Sequence, residues 1–261
     1  MLEKSTSGTA PFLTMSILSI DPSLTHCGWV LFDENKTGKE AVLDAGIFQT
    51  KPTDGLFIQR LITQRERLRL MLRLKSIKFV AMEAPHWDNY STEILYAVHQ
   101  HLNEVFLDEG VFLLYLQPST VKKYAYPDMD PDRITKHYMI DAAKRDLGLM
   151  GKRLSEHIAD AYFIGKLGLR FYAWHIQHKI KDGDLTDRER DLFCGKHTFV
   201  KGAKKGVTEY TGIIYRENEC FYDYKKQART SKIITKEVTD GGQKQIFDDS
   251  GRILQKTGKR R

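Results

Sequence analysis

Residues 16–32 read Ser16-Ile17-Leu18-Ser19-Ile20-Asp21-Pro22-Ser23-Leu24-Thr25-His26-Cys27-Gly28-Trp29-Val30-Leu31-Phe32. Ile17 to Ile20 is a short apolar run that closes on the carboxylate of Asp21, and Trp29 to Phe32 is a second run of strand character. Ala41 to Phe48 supplies a third, with the turn chemistry of Asn35-Lys36-Thr37-Gly38 before it, so the three form a meander. Lys51-Pro52-Thr53-Asp54-Gly55 ends the third strand. A helix is expected from Leu56 to Leu74, where Leu61, Leu68 and Leu72 recur at helical spacing. Arg60, Arg65, Arg67, Arg69 and Arg73 give it a strongly basic second face, which the bland reading makes a solvated surface.

Beyond this helix, Ile77 to Met82 is apolar enough for a buried strand and again ends on a carboxylate, Glu83. Ser91 to Leu107 reads as a helix whose Ile94, Leu95, Val98, Leu102 and Val105 suggest a face for a second subunit. Val111 to Leu116 reads as a strand and Pro131 to Leu147 as a helix. Leu154 to about Ile180 reads as one long aromatic-rich helix, broken at Asp182-Gly183-Asp184. The order is βββαβαβα, an α/β domain with a mixed five-stranded sheet. Residues 15–181 form this domain, residues 1–14 a flexible leader, and residues 182–261 a small extension with β-type runs at Gly212–Tyr215, Cys220–Tyr224 and Lys232–Val238.

The chain has 261 residues, 41% of them hydrophobic, enough for a real core, which excludes disorder as the dominant state. Its net charge is +7, and from residue 181 onward 19 basic side chains face 13 acidic ones, so the surplus sits in the extension. That asymmetry points to a polyanionic partner. Cys27, Cys194 and Cys220 are too few and too far apart for a disulfide framework, and no segment has the apolar length of a membrane span, so a cytoplasmic protein is expected. His175, His178, Cys194 and His197 are of types suited to tetrahedral zinc, at no standard finger spacing. The competing reading is surface histidines, a loop histidine and a free thiol.

Asp21 and Glu83 end separate core strands and would lie side by side if those strands pair, at the rim where ligands bind. Two such carboxylates attract a hard cation with oxygen ligands, and His157 and Asp160, three apart on one helical face, supply further donors.

The segments Ile17-Leu18-Ser19-Ile20-Asp21-Pro22-Ser23 with Gly28, Val80-Ala81-Met82-Glu83, and His157-Ile158-Ala159-Asp160-Ala161 together resemble the RuvC Holliday-junction resolvases, in order and spacing, over about residues 16 to 178. The resemblance implies an RNase H-like fold and a homodimer that cuts four-way DNA junctions. It also implies a site in which Asp21, Glu83, His157 and Asp160 bind two Mg²⁺ ions, with Mn²⁺ as a substitute. It further implies phosphate contacts from Lys122 and Arg133, and a probe of the junction centre at His86 or Trp87. Ser23 stands where the family usually has glycine, and Ala84-Pro85-His86-Trp87 departs from the usual amide and aromatic residue. Two other functions compete: an actin-like phosphotransferase, since Asp21, Thr25 and Gly28 also fit its first phosphate motif, and a non-catalytic binder of branched DNA. The first would need a duplicated half and the second would tolerate loss of the carboxylates.

Overall fold

The computed structural model describes residues 16–85 and 92–193 and, beyond them, the backbone of seven short strands between 196 and 257. β1 (Ser16–Asp21), β2 (His26–Asp33) and β3 (Val42–Gln49) form the expected antiparallel meander. β4 (Phe79–Glu83) lies parallel to β1, and β5 (Phe112–Leu116) parallel to β4. The order β3-β2-β1-β4-β5 is the mixed five-stranded sheet of the RNase H-like fold.

The central strands are apolar without alternation because both of their faces are covered. Ile17, Val30, Phe32, Phe79, Ala81 and Leu114 point into one layer, and Leu18, Ile20, Leu31, Val80, Met82 and Leu113 into the other. α1 (Phe57–Leu74) and α2 (Thr92–Asp108) cover the second layer. The first is covered by α3 (Pro118–Ala125), α4 (Lys136–Leu147) and α5 (Glu156–Phe171). α5 seats on β1 and β2 through glycine: a Cβ on Gly165 would stand 2.0 Å from the Phe32 ring and 2.7 Å from the Ser19 hydroxyl.

Three helical expectations change. The span 131–147 is a 3-10 turn at Pro131–Arg133 followed by α4 from Lys136, and the helix α3 precedes it. The long helix stops at Phe171 and continues as a π turn, Tyr172–Ile176. The apolar stripe of α2 is core rather than a subunit face, with Val98, Leu102 and Val105 at most 1% exposed, while Ile94, Tyr96 and Leu107 stay exposed outside it. The stripe is apolar because it covers this chain's own sheet.

The basic face of α1 is neutralised from α2. Arg65 pairs with Glu104, Arg69 with Asp108 and Glu109, and Arg73 with Glu109, at 2.7–3.6 Å. These exposed pairs add little stability, but they offset most of the charge of Arg65, Arg69 and Arg73, while Arg67 donates to the Gln49 backbone carbonyl.

The core runs past residue 182. α6 (Asp187–Phe193) docks on α5 through Arg170, whose Nε and Nη2 donate to Glu189 at 2.6 and 2.8 Å, while Phe193 packs against Phe171 and Trp174. β6 (Lys196–Thr198) pairs with β7 (Thr208–Tyr210). β8 (Ile214–Glu217) adds antiparallel to β5, and β9 (Cys220–Tyr222) to β8, so the chain extends its own sheet to seven strands. β10 (Glu237–Asp240), β11 (Gln243–Phe247) and β12 (Ile253–Thr257) form a separate antiparallel sheet. The strand run expected at Lys232–Val238 is described only from Glu237 onward.

Two consequences for stability are testable. Gly165→Ala forces a methyl into the Phe32 ring, and overpacking of this kind costs about 1–3 kcal/mol, readable as a lower denaturation midpoint at unchanged slope. Truncation after Lys181 removes Phe193 and the cover of β5. Losing a buried Phe costs about 3 kcal/mol, which lowers Tm by roughly 10 °C for a chain this size. The bared β5 edge should also make the remnant self-associate in gel filtration. A monomeric remnant with the Tm of the full chain would refute the docking of α6 and β8.

Candidate active site

β1 and β4 are adjacent and parallel, with Ile20 opposite Met82, so their terminal carboxylates, Asp21 and Glu83, emerge side by side at the same rim. α5 begins above that rim and brings Glu156, His157 and Asp160 to it in its first turns. A cleft of about 330 Å³ opens there, lined by Asp21, Ser23, Glu83, Lys122, Lys136, His157 and Asp160 among others. Four candidate ligands separated by up to 139 positions in sequence thus share one cavity.

Close approach of α5 depends on Gly28. A Cβ there would stand 2.2 Å from the His157 carbonyl oxygen, so any larger residue lifts the first turn of α5 off the sheet. Once seated, the helix aims the positive end of its dipole at the carboxylates. His157 Nδ1 lies 2.9 Å from Asp21 Oδ2, and its Nε2 lies 3.6 Å from Glu156 Oε1. Lys136 Nζ donates to that same Glu156 oxygen at 2.8 Å.

The electrostatics are one-sided. Burial, then repulsion from Asp21 and Asp160, pushes Glu83 up to about 8, with Lys122 opposing weakly. Burial and the charge of Asp21 push Asp160 up to about 7. Asp21 is also raised, because its burial outweighs the hydrogen bond from His157. That bond in turn raises His157. Among the described residues neither Glu83 nor Asp160 has a side-chain hydrogen bond or ion pair, so these carboxyl groups are partly buried, mutually repelling and short of cationic partners. Oxygen donors in that condition suit a hard divalent cation, whose charge would offset what burial and repulsion now penalise. No group of three or more His, Cys, Asp or Glu among the described residues is drawn tightly enough to ligate an ion as it stands. The donor chemistry fits, and closing the ligand shell requires side-chain adjustment.

Of the other expected residues, Lys122 lines the cleft. Arg133 lies exposed on the 3-10 turn before α4, and Ile134 and Lys136 line the cleft in its place. His86 and Trp87 lie outside the described residues, as does Cys194. His175 packs on Phe171 and Trp174, an aromatic setting at the π turn. His178 occupies a left-handed backbone position with φ 52°. Cys27, next to the site in sequence, is buried with its thiol pushed up to about 12 and is inert there.

Lys136 and His26 are the residues that sequence reasoning missed. Lys136 sits among several basic residues, and only the helix start distinguishes it from Arg133. His26 lies two residues before Gly28 on β2 and therefore shares its face, a signal that strand alternation carries once the strand's start is known.

Comparison with solved structures finds similar folds. RuvC from Thermus thermophilus aligns with 61% of this chain and 96% of its own, at 21% identity and a TM-score of 0.50. The same protein in complex with a Holliday junction substrate aligns over 61% and 95%, at 22% identity and a TM-score of 0.49. A Ppx/GppA family protein from Aquifex aeolicus aligns over 43% and 38%, at 15% identity and a TM-score of 0.26. No protein-family model and no curated protein matches the sequence. The core of this chain therefore has the fold of the Thermus RuvC structure.

The titration of the site predicts a pH signature. Glu83 and Asp160 hold protons in the folded chain that the unfolded chain has released, so folding stability falls as pH rises from about 5 to 8. The raised Asp21 and the raised His157, whose contribution is lost as pH rises, act in the same direction. The slope approaches about 1.4 kcal/mol per pH unit for each group over its own window. Mg²⁺ should restore Tm at pH 8 and have little effect at pH 5. Equal Mg²⁺ shifts at both pH values would count against a carboxylate site.

Proposed function

We propose that this protein is a divalent-metal-dependent endonuclease that cuts four-way junctions and related branched DNA. The observation that carries the reading is the convergence of Asp21, Glu83 and Asp160, from two strand ends and one helix, on a single cleft also lined by Lys122 and Lys136. The fold shared with the Thermus RuvC structure, a protein also solved with a Holliday junction, supports the same choice. Caps and turn residues have no reason to converge in this way.

Asp21, at the strand end beside Glu83 and in contact with His157, would hold metal together with both neighbours. Glu83 and Asp160 would each hold one of two ions, and His157 would ligate or orient the attacking water. Mg²⁺ is the expected metal, with Mn²⁺ able to replace it. The metal supplies charge that activates water and stabilises the leaving oxygen. Lys122 and Lys136 offset the charge of the scissile phosphate, and Lys136 must first exchange its bond to Glu156 for one to the DNA. Arg133, on the exposed turn, would meet a flanking phosphate, and His86 or Trp87 would probe the junction centre. A junction cut at two paired strands calls for a homodimer with two such centres. The basic surplus after residue 181 would add phosphate contacts common to branched and duplex DNA.

Cleavage mapping on an end-labelled synthetic four-way junction tests this directly. The full chain with Mg²⁺ should cut at paired positions near the crossover. Asp21→Asn, Glu83→Gln and Asp160→Asn should each slow cleavage by about a hundredfold or more while junction binding persists, since binding rests on phosphate contacts. His157→Asp should keep partial activity, because a carboxylate fills the same position. Turnover at the wild-type rate by any of the three carboxylate variants would overturn the assignment.

A further inference from the structure

Strand β2 meets the first turn of α5 at two points. Alternation sends Cys27, Trp29 and Leu31 into the α1–α2 layer and Val30 and Phe32 into the layer of α5, so His26 and Gly28 both face α5. Gly28 admits the His157 backbone. His26 meets the His157 side chain: the two imidazoles are stacked with centroids 5.5 Å apart and planes 2° from parallel.

A single hydrogen bond fixes where a ring sits but not how it is turned. The bond between His157 Nδ1 and Asp21, with Nε2 3.6 Å from Glu156, still leaves the imidazole room to tilt about its Cβ–Cγ bond. A flat partner on its face removes that freedom, because tilting the ring breaks the stack. His26 is itself held from the next strand. Gln49 stands directly opposite it in the β2–β3 register, with its Nε2 3.2 Å from His26 Nε2, and the Gln49 carbonyl accepts from Arg67 on α1 at 2.8 Å. The sequence of contacts therefore runs from α1 through β3 and β2 to the His157 ring.

We propose that His26 is a positioning residue of the site: its ring, oriented by Gln49, sets the plane of the His157 imidazole and so the direction in which Nε2 is presented to the cleft. His26 is not among the residues lining that cleft, so it acts through His157. The kinetic consequence rests on the nuclease reading above; the geometric one does not.

Two variants of the full chain test it, His26→Ala, which removes the stack, and His26→Phe, which keeps a flat ring without nitrogens. Partners that orient metal-site histidines are worth roughly 10- to 100-fold, so His26→Ala should slow single-turnover junction cleavage by about that factor with junction affinity unchanged. His26→Phe should recover most of the rate. Long-range ¹H–¹⁵N spectra of the metal-free chain supply a readout that needs neither metal nor DNA. The His157 ring resonances should shift or broaden in His26→Ala and keep their wild-type positions in His26→Phe. Wild-type His157 resonances in His26→Ala would overturn the proposal, and so would a His26→Phe variant as perturbed as His26→Ala, since the nitrogens rather than the stack would then be at work. If the unmodified chain cuts no junction with Mg²⁺ or Mn²⁺, the nuclease reading fails while the spectra still decide the role of His26.

Discussion

Partly buried carboxylates with too little positive charge beside them are the constraint on which the rest of this architecture turns. Asp21, Glu83 and Asp160 repel one another in a cleft whose nearest cations are Lys122 and Lys136, and Lys136 is committed to Glu156. A fold optimised for stability alone would have paired these carboxylates or replaced them. The sheet keeps them because it is rigid: the parallel pairing of β1 with β4 holds two of them at adjacent strand ends, and the interior packing of α5 holds the third. The raised proton affinity of each group marks the cost of ionisation that a bound cation would offset.

Much of this was legible in the sequence, for a definite reason. Central strands covered on both faces must be continuous apolar runs, and a carboxylate that ends such a run stands out, so Asp21 and Glu83 could be named from pattern alone. The three-residue spacing of His157 and Asp160 carried over because α5 is regular across its first turn. Pattern failed where two readings share one composition. The apolar stripe of α2 is identical in sequence whether it covers its own sheet or a second subunit, and the buried Val98, Leu102 and Val105 show it does the former. Arg133 and Lys136 have the same charge and differ only in which side of a short turn they occupy. The break at Asp182-Gly183-Asp184 is a real turn, but the buried Glu189 and Phe193 beyond it return to the core.

The arginines of α1 carry a related lesson about charge. Five basic residues on one helical face suggest a phosphate track, yet Arg65, Arg69 and Arg73 meet Glu66, Glu104, Asp108 and Glu109 on the same surface. A polyanion approaching these three arginines would have to displace the acids before gaining a contact. The helix pair is therefore better described as electrostatically closed, and its arginine content says little about where nucleic acid would lie.

That closure narrows where a polyanion can be held. The first 180 residues carry 22 basic and 21 acidic side chains, and Arg65, Arg69 and Arg73 of α1 are already paired, so the core offers little net attraction, and the lysines beside the carboxylates are Lys122 and Lys136. Such a surface is poorly suited to grip a long duplex by itself, because each phosphate contact contributes only through the counterions it releases. On the proposed reading it would discriminate, since a substrate would have to place one phosphate near the carboxylates while most of its length is held elsewhere. β8 pairs with the β5 edge, so the chain beyond α6 rejoins the sheet whose other strands carry Asp21 and Glu83. On the proposed nuclease reading, affinity and chemistry would fall to different parts of the chain, and changing the charge of the extension would alter how firmly DNA is held without touching the atoms that would cut it.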